Sequence, residues 1–162
     1  MIVKFIKIIA VVLLLPVGAQ AEENHHEPAM SELMVYKSPT CHCCKKWISH
    51  IEDEGFTIYA NEFSNLATVK NNYGIRPEYR SCHTAVTRNG YAIEGHVPAK
   101  FVNQFLAEQP AGAIGLSVPA MPVGSPGMEV DDRFTPYQVL ILFKDGTSRV
   151  YAHIDTYEEQ FK

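Results

Sequence analysis

The sequence has no excess of basic residues: 14 Lys and Arg stand against 18 Asp and Glu, for a formal net charge of −4. No basic stretch is dense enough to follow a phosphate backbone, which excludes nucleic acid as a partner. It has no internal repeat and no low-complexity tract, so it is not a repeat array. No nucleophile, base and orienting acid gather in its motifs, which leaves hydrolase and transferase chemistry without support. Long apolar runs are also missing. The longest, residues 8–17, is broken by Pro16 and falls short of the roughly 20 residues that span a bilayer. Cysteine is scarce too, with only four in the chain. Three of them, Cys41, Cys43 and Cys44, lie within "CHCC", where they cannot cross-link distant segments. They mark a local chemical site rather than a set of staples.

The short apolar run has a meaning of its own. Lys4 and Lys7 precede it without an acid, and "AQA" at Ala19–Ala21 supplies small residues at cleavage positions. Residues 1–21 therefore read as a secretory signal peptide cut after Ala21, and no cysteine follows to carry a lipid anchor. Removing 21 of 162 residues leaves 141, enough for one domain with its own core. Without Lys4 and Lys7 the balance is 12 basic to 18 acidic residues, a formal charge near −6. Residues 22–32 read as a flexible acidic tail, with His25 and His26 at most an accessory metal ligand pair. Residues 33–162 read as a single domain. Export places the thiols in an oxidising compartment, where an even cysteine count ordinarily means disulfides.

The pattern alternates strand and helix. Leu33–Tyr36 is a short apolar strand, and residues 44–54 carry Trp47, Ile48 and Ile51 at helical spacing before Gly55. A second strand is expected at 56–60 and a second helix at 65–73, ended by Gly74 and Pro77. Segments 83–87 and 91–94 flank "RNG", a hairpin signal. Pro98 opens a third helix whose Phe101, Val102, Phe105 and Leu106 form one apolar face. Residues 107–136 are rich in Gly and Pro and read as an ordered irregular loop sheltering Leu116, Val118, Met121, Val123 and Met128. Segments 137–143 and 148–153 flank "KDGT", a second hairpin. The expectation is an α/β (α+β) fold: a central mixed sheet flanked by helices, with an extra C-terminal β-hairpin.

The first helix starts at the cysteines. Cys41 to Cys44 is a CxxC whose thiolates the helix N-terminus, Lys45 and Lys46 all favour. An order βαβαββα with CxxC ahead of the first helix is that of a thioredoxin-like fold, in which a loop facing the CxxC usually carries a cis-proline. Aligned on "YGI", Tyr73–Ile75, and the hairpin after it, that position falls at Ser81 and Cys82. A fourth cysteine stands where the proline would be. Four thiols converging from two loops resemble a metal-binding cup. Soft thiolates select Cu(I), Zn(II) or iron–sulfur clusters, and CxCC plus one distant cysteine matches paired zinc ligands poorly. Cu(I) accepts two or three thiolates and shares bridging sulfurs, so copper is favoured over zinc. Other donors rank lower. His83, if it begins a strand, points away from Cys82. His96, in "EGHVP", reads equally as a side chain bonded to backbone near a helix start. Met121 and Met128 offer thioethers but read first as gap-filling core, and Trp47 as packing.

The segments "YKSPTCHCCKKW", "SCHTAV", "IEGHVPA" and "GLSVPAMPVGSPGME", in order between Leu33 and Phe143, resemble a domain-of-unknown-function family that includes the CopG-type periplasmic proteins of copper-resistance operons. The resemblance implies a thioredoxin-like fold in the periplasm of a Gram-negative bacterium. It also implies copper held by Cys41, Cys43, Cys44 and Cys82, as a cluster of more than one ion, and a redox role in copper detoxification. The family commonly has Gly between its first two cysteines; His42 stands there in this chain, as a further ligand or a shield. Two functions stay open. One is a protein that sequesters copper ions or passes them to other periplasmic copper-handling proteins. The other is an oxidoreductase in which Cys41 and Cys44 are the catalytic dithiol, exchanging electrons with bound copper or a protein disulfide. A structural zinc site is the remaining alternative. In every case a closed Cys41–Cys44 disulfide and a bound metal compete for the same sulfurs.

Overall fold

The computed structural model describes residues 32–161; residues 1–21, read above as a signal peptide, and the tail with His25 and His26 lie outside them. Strand β1 (Glu32–Lys37) begins at Glu32, the last residue given above to the tail, which pairs with Thr57. After it come α1 (His42–Asp53), β2 (Thr57–Glu62), α2 (Leu66–Asn72), β3 (His83–Thr87), β4 (Ala92–Gly95) and α3 (Ala99–Glu108). Then follow β5 (Ala113–Val118), β6 (Tyr137–Phe143) and β7 (Ser148–Ile154), with short 3-10 turns at Pro77–Tyr79 and Tyr157–Gln160. No helix among the described residues is long and apolar enough to cross a membrane.

The strands form one mixed sheet in the order β2-β1-β3-β4-β5-β6-β7. β1 and β2 are parallel, as are β4 and β5, and the other pairs are antiparallel. Register then decides which side chains share a face, because alternate residues point to opposite sides. Val35, Ala85, Ile93, Leu116 and Ile141 form one row across five strands. That row belongs to the main core, where Trp47 and Ile51 of α1 and Phe101, Val102 and Phe105 of α3 cover it. Each buried Val, Leu, Ile or Phe among them contributes about 1.5–3 kcal/mol. The neighbouring row, Thr84, Glu94 and Ser117, faces the other side, and Lys70 of α2 reaches it. A smaller apolar cluster of Ile75, Ala92 and Leu142 also lies on that side. The mixed sheet, its flanking helices and the β6–β7 hairpin are those expected, and the arrangement is compatible with a thioredoxin-like core.

One expectation fails. The segment 113–118 is not irregular loop but β5, buried between β4 and β6. Its Gly115 and flanking Gly and Pro suggested turns. The glycine instead serves a bulge, since the register with β6 shifts between Ala113 and Gly115. Gly115 has φ +153, and a Cβ there would stand 1.7 Å from the Ala92 carbonyl oxygen. A backbone this close to its neighbour excludes every side chain.

Candidate metal centre

Helix α1 begins two residues earlier than its apolar spacing indicates, with Cys41 as N-cap. The Cys41 side chain caps nothing, and its amide is held by the Ser38 carbonyl at 3.1 Å. Cys43 and Cys44 thus occupy the first turn, where unpaired amides and the helix dipole favour thiolate. Cys41 and Cys44 are joined in a disulfide, whereas Cys43 and Cys82 are free and half-buried.

Cys82 comes from the loop ahead of β3 and completes the cluster. Its Sγ lies 3.6 Å from that of Cys44 and 4.0 Å from that of Cys43, which is itself 3.4 Å from Cys41 Sγ. All four sulfurs fall within 4.8 Å of one another. Cys82 Sγ also meets His83 Nδ1 at 3.3 Å and His96 Nε2 at 3.0 Å, and these three donors form a second group within 4.8 Å. Burial, reinforced by the Cys43 thiol, pushes the Cys82 thiol up to about 12. A cation bound at the site would reverse that preference, since a coordinating thiol is deprotonated outright.

The structure brings both histidines to Cys82, against the expectation for His83 but with the backbone bond expected of His96. His83 does not point away from Cys82, because Cys82 precedes the strand and strand alternation does not extend to it. The His83 ring is fully buried 4.3 Å from the Trp47 ring, with no hydrogen-bond partner at Nε2. Trp47 itself packs as expected and donates from Nε1 to the Val97 carbonyl at 2.9 Å. His96 is bonded to backbone, but to Pro126 of the distant loop: Nδ1–H donates to that carbonyl at 2.7 Å. This fixes the neutral tautomer and leaves the Nε2 lone pair aimed at Cys82. Burial holds both imidazoles below the usual histidine range, His83 furthest, with the His96 and Lys70 charges acting on His83 in the same sense.

The other named donors stay apart from this grouping. His42 is exposed on α1 and belongs to neither ligand group among the described residues. Met121 is 48% exposed rather than core, and Met128 is half-buried on the loop that carries Pro126.

Sequence reasoning missed the support beneath Cys82. Glu94, fully buried, accepts from Lys70 Nζ at 2.5 Å and from Thr84 Oγ1 and the Ser81 amide at 2.6 Å each. Burial raises the Glu94 carboxyl even though those donors pull it down. Nothing in "LATVKNN" or "AIEG" marks Lys70 or Glu94 as buried. Only the register that sets Thr84 beside Glu94 does so.

The profile of the family described as "Protein of unknown function, DUF411" matches residues 79–128, a span with Cys82, His83, His96 and Pro126. Two solved structures are similar over most of the chain, forms 1 and 2 of the copper resistance protein CopG. Form 1 is 38% identical with a TM-score of 0.72, covering 77% of this chain and 98% of that one. Form 2 is 39% identical with a TM-score of 0.71, covering 76% and 97%. No curated protein matches the sequence.

Proposed function

Because the chain belongs to the family of the copper resistance protein CopG, we propose that it is a periplasmic protein that binds Cu(I) through Cys41, Cys43, Cys44 and Cys82 and cycles electrons between copper and the Cys41/Cys44 dithiol. The observation that carries this reading is the convergence of four sulfurs within 4.8 Å. With metal–sulfur bonds of about 2.3 Å, sulfurs on one tetrahedral ion stand roughly 3.8 Å apart. The 3.6 and 4.0 Å separations from Cys82 already match that spacing. Thiolate-only ligation suits Cu(I), and neighbouring sulfurs can bridge more than one ion.

The electron balance is simple. The reduced Cys41/Cys44 dithiol gives one electron to each of two Cu(II) ions, producing two Cu(I), a disulfide and two protons. The reverse step, Cu(I) oxidation coupled to disulfide reduction, uses the same groups. His83 and His96, neutral and against Cys82, are secondary nitrogen donors or orienting groups. Thiol–disulfide exchange with other proteins is the second reading; it rests on the CxxC at the helix start, but Cys82 in the facing loop adds a soft ligand there.

The test is copper titration of the reduced protein combined with turnover assays for Cu(II) reduction and Cu(I) oxidation. Uptake with turnover supports the redox reading, and stoichiometric uptake without turnover leaves a copper binder. Cys82→Ser is expected to lower Cu(I) affinity by about a hundredfold or more, because even partners one step removed from a metal are worth 10–100-fold. Its circular dichroism should match the parent. Loss of fold without metal would make Cys82 part of the scaffold instead, and preferential retention of Zn(II) over Cu(I) would favour the zinc site.

A further inference from the structure

We infer that Glu94 is a positioning residue: its buried carboxylate holds the Ser81 amide and so fixes Cys82 against Cys43 and Cys44. This rests on the reading of the four cysteines as one working site. A buried ion pair is an expensive way to fill space. Replacing such a pair by apolar side chains of similar volume is often neutral or stabilising. The Lys70–Glu94 pair, with side chains 5% and 0% exposed, therefore calls for a reason other than bulk stability.

The hydrogen bonds supply one. Lys70 neutralises the carboxylate and also donates to Thr84 Oγ1 at 3.0 Å, while Thr84 lies directly across the β3–β4 pair from Glu94. Those contacts stay within α2 and the sheet. The Ser81 amide is different, because it belongs to the loop and immediately precedes Cys82. A hydrogen bond to a buried carboxylate is among the stronger kinds available to a backbone amide. Gly95, at φ +74, makes room for it, since a Cβ there would stand 2.5 Å from Ser81 Cβ. On the other side of Cys82, His83 is already paired with Lys37 in the sheet. Cys82 is thus tied one residue upstream by a side chain and one residue downstream by a strand. Its sulfur has little freedom left except rotation about its own side-chain bond.

The experiment uses the Cys41→Ser/Cys43→Ser protein as parent, where Cys44 and Cys82 are the remaining thiols, and measures their disulfide equilibrium against glutathione. Two further variants both remove the ion pair. Lys70→Leu/Glu94→Gln keeps a carbonyl acceptor for the Ser81 amide, and Lys70→Leu/Glu94→Leu removes it. Loss of the acceptor is expected to weaken disulfide closure by about tenfold or more, as a hydrogen bond to a charged group is worth about 1.5–3 kcal/mol. The Gln variant should stay within about threefold of the parent. Equal closure in the Leu and Gln variants overturns the inference, as does a parent pair that closes no better than separate thiols. Thermal stability, measured alongside, should fall alike in both if the pair only supports the fold. A second measurement needs no substitution. The Ser81 amide of the unaltered protein should exchange with deuterium as slowly as the β3 amides, and exchange at the rate of an unstructured peptide overturns the inference. Neither readout contains copper, so a chain that passes both yet takes up no Cu(I) refutes the copper reading alone.

Discussion

The protein with Cys41 and Cys44 oxidised should bind Cu(I) about a thousandfold more weakly than the fully reduced protein, a gap of about 4 kcal/mol. The disulfide takes two of the four sulfurs out of play, because only a thiolate is a good soft-metal ligand. What remains is Cys43 and Cys82, 4.0 Å apart, and burial makes the Cys82 thiol hard to ionise. Reduction restores both missing thiolates at the start of α1, where the helix terminus favours their charge. Competition titration against a Cu(I)-specific chromophoric chelator measures the difference in each redox state. The reduced protein should take up more than one Cu(I). Equal stoichiometry and affinity in the two states would sink the idea that disulfide and copper share one set of sulfurs.

Gly115→Ala should cost about 3 kcal/mol or more of folding stability, in the upper range for a single substitution. The added methyl would overlap the Ala92 carbonyl oxygen at 1.7 Å, and that oxygen belongs to the neighbouring strand rather than to a movable side chain. The β4–β5 pairing must open, and with it the connection to β6 and β7. Gly55→Ala provides the control: its φ is +91 but nothing lies within 4 Å of the added atom, so only the conformational cost of about 1 kcal/mol applies. Urea denaturation of both variants gives the comparison. A Gly115→Ala protein no less stable than Gly55→Ala would mean that the bulge relaxes freely.

The same glycine explains where the sequence could be read and where it could not. Helical spacing located α1 and α3, a short apolar run located β1, and the "RNG" turn located β3, because each signal lies within the element or beside it. β5 was invisible because its second half of evidence lies elsewhere in the chain. "AIGLSV" is a strand only through β4 on one side and β6 on the other. The site divides in the same way. Cys41, Cys43, Cys44 and Cys82 were legible from residue type and from the place Cys82 takes in the order of elements. The meeting of the His83 and His96 rings at Cys82 was not legible, because local pattern does not fix the path of the loop that carries Cys82. Lys70 and Glu94 gave no signal at all, since a lysine in a polar helix and a glutamate in a strand ordinarily face water.

The brace around Ser81 also has a consequence in time. Ser117 Oγ–H donates to the Tyr79 carbonyl, the Ala120 amide to the Arg80 carbonyl, and the Ser81 hydroxyl to the Ala120 carbonyl. All four cysteines therefore precede, in the order of synthesis, the residues that lock the Cys82 loop. A chain that advances N-terminus first presents its thiols before the site that separates them exists. During that interval pairing is governed by loop closure, which favours near neighbours, and Cys41 and Cys44 are only three residues apart. Closing a loop to Cys82, 38 residues beyond Cys44, carries the larger entropic cost, so in an unfolded chain Cys82 pairs less readily than Cys41 and Cys44 do.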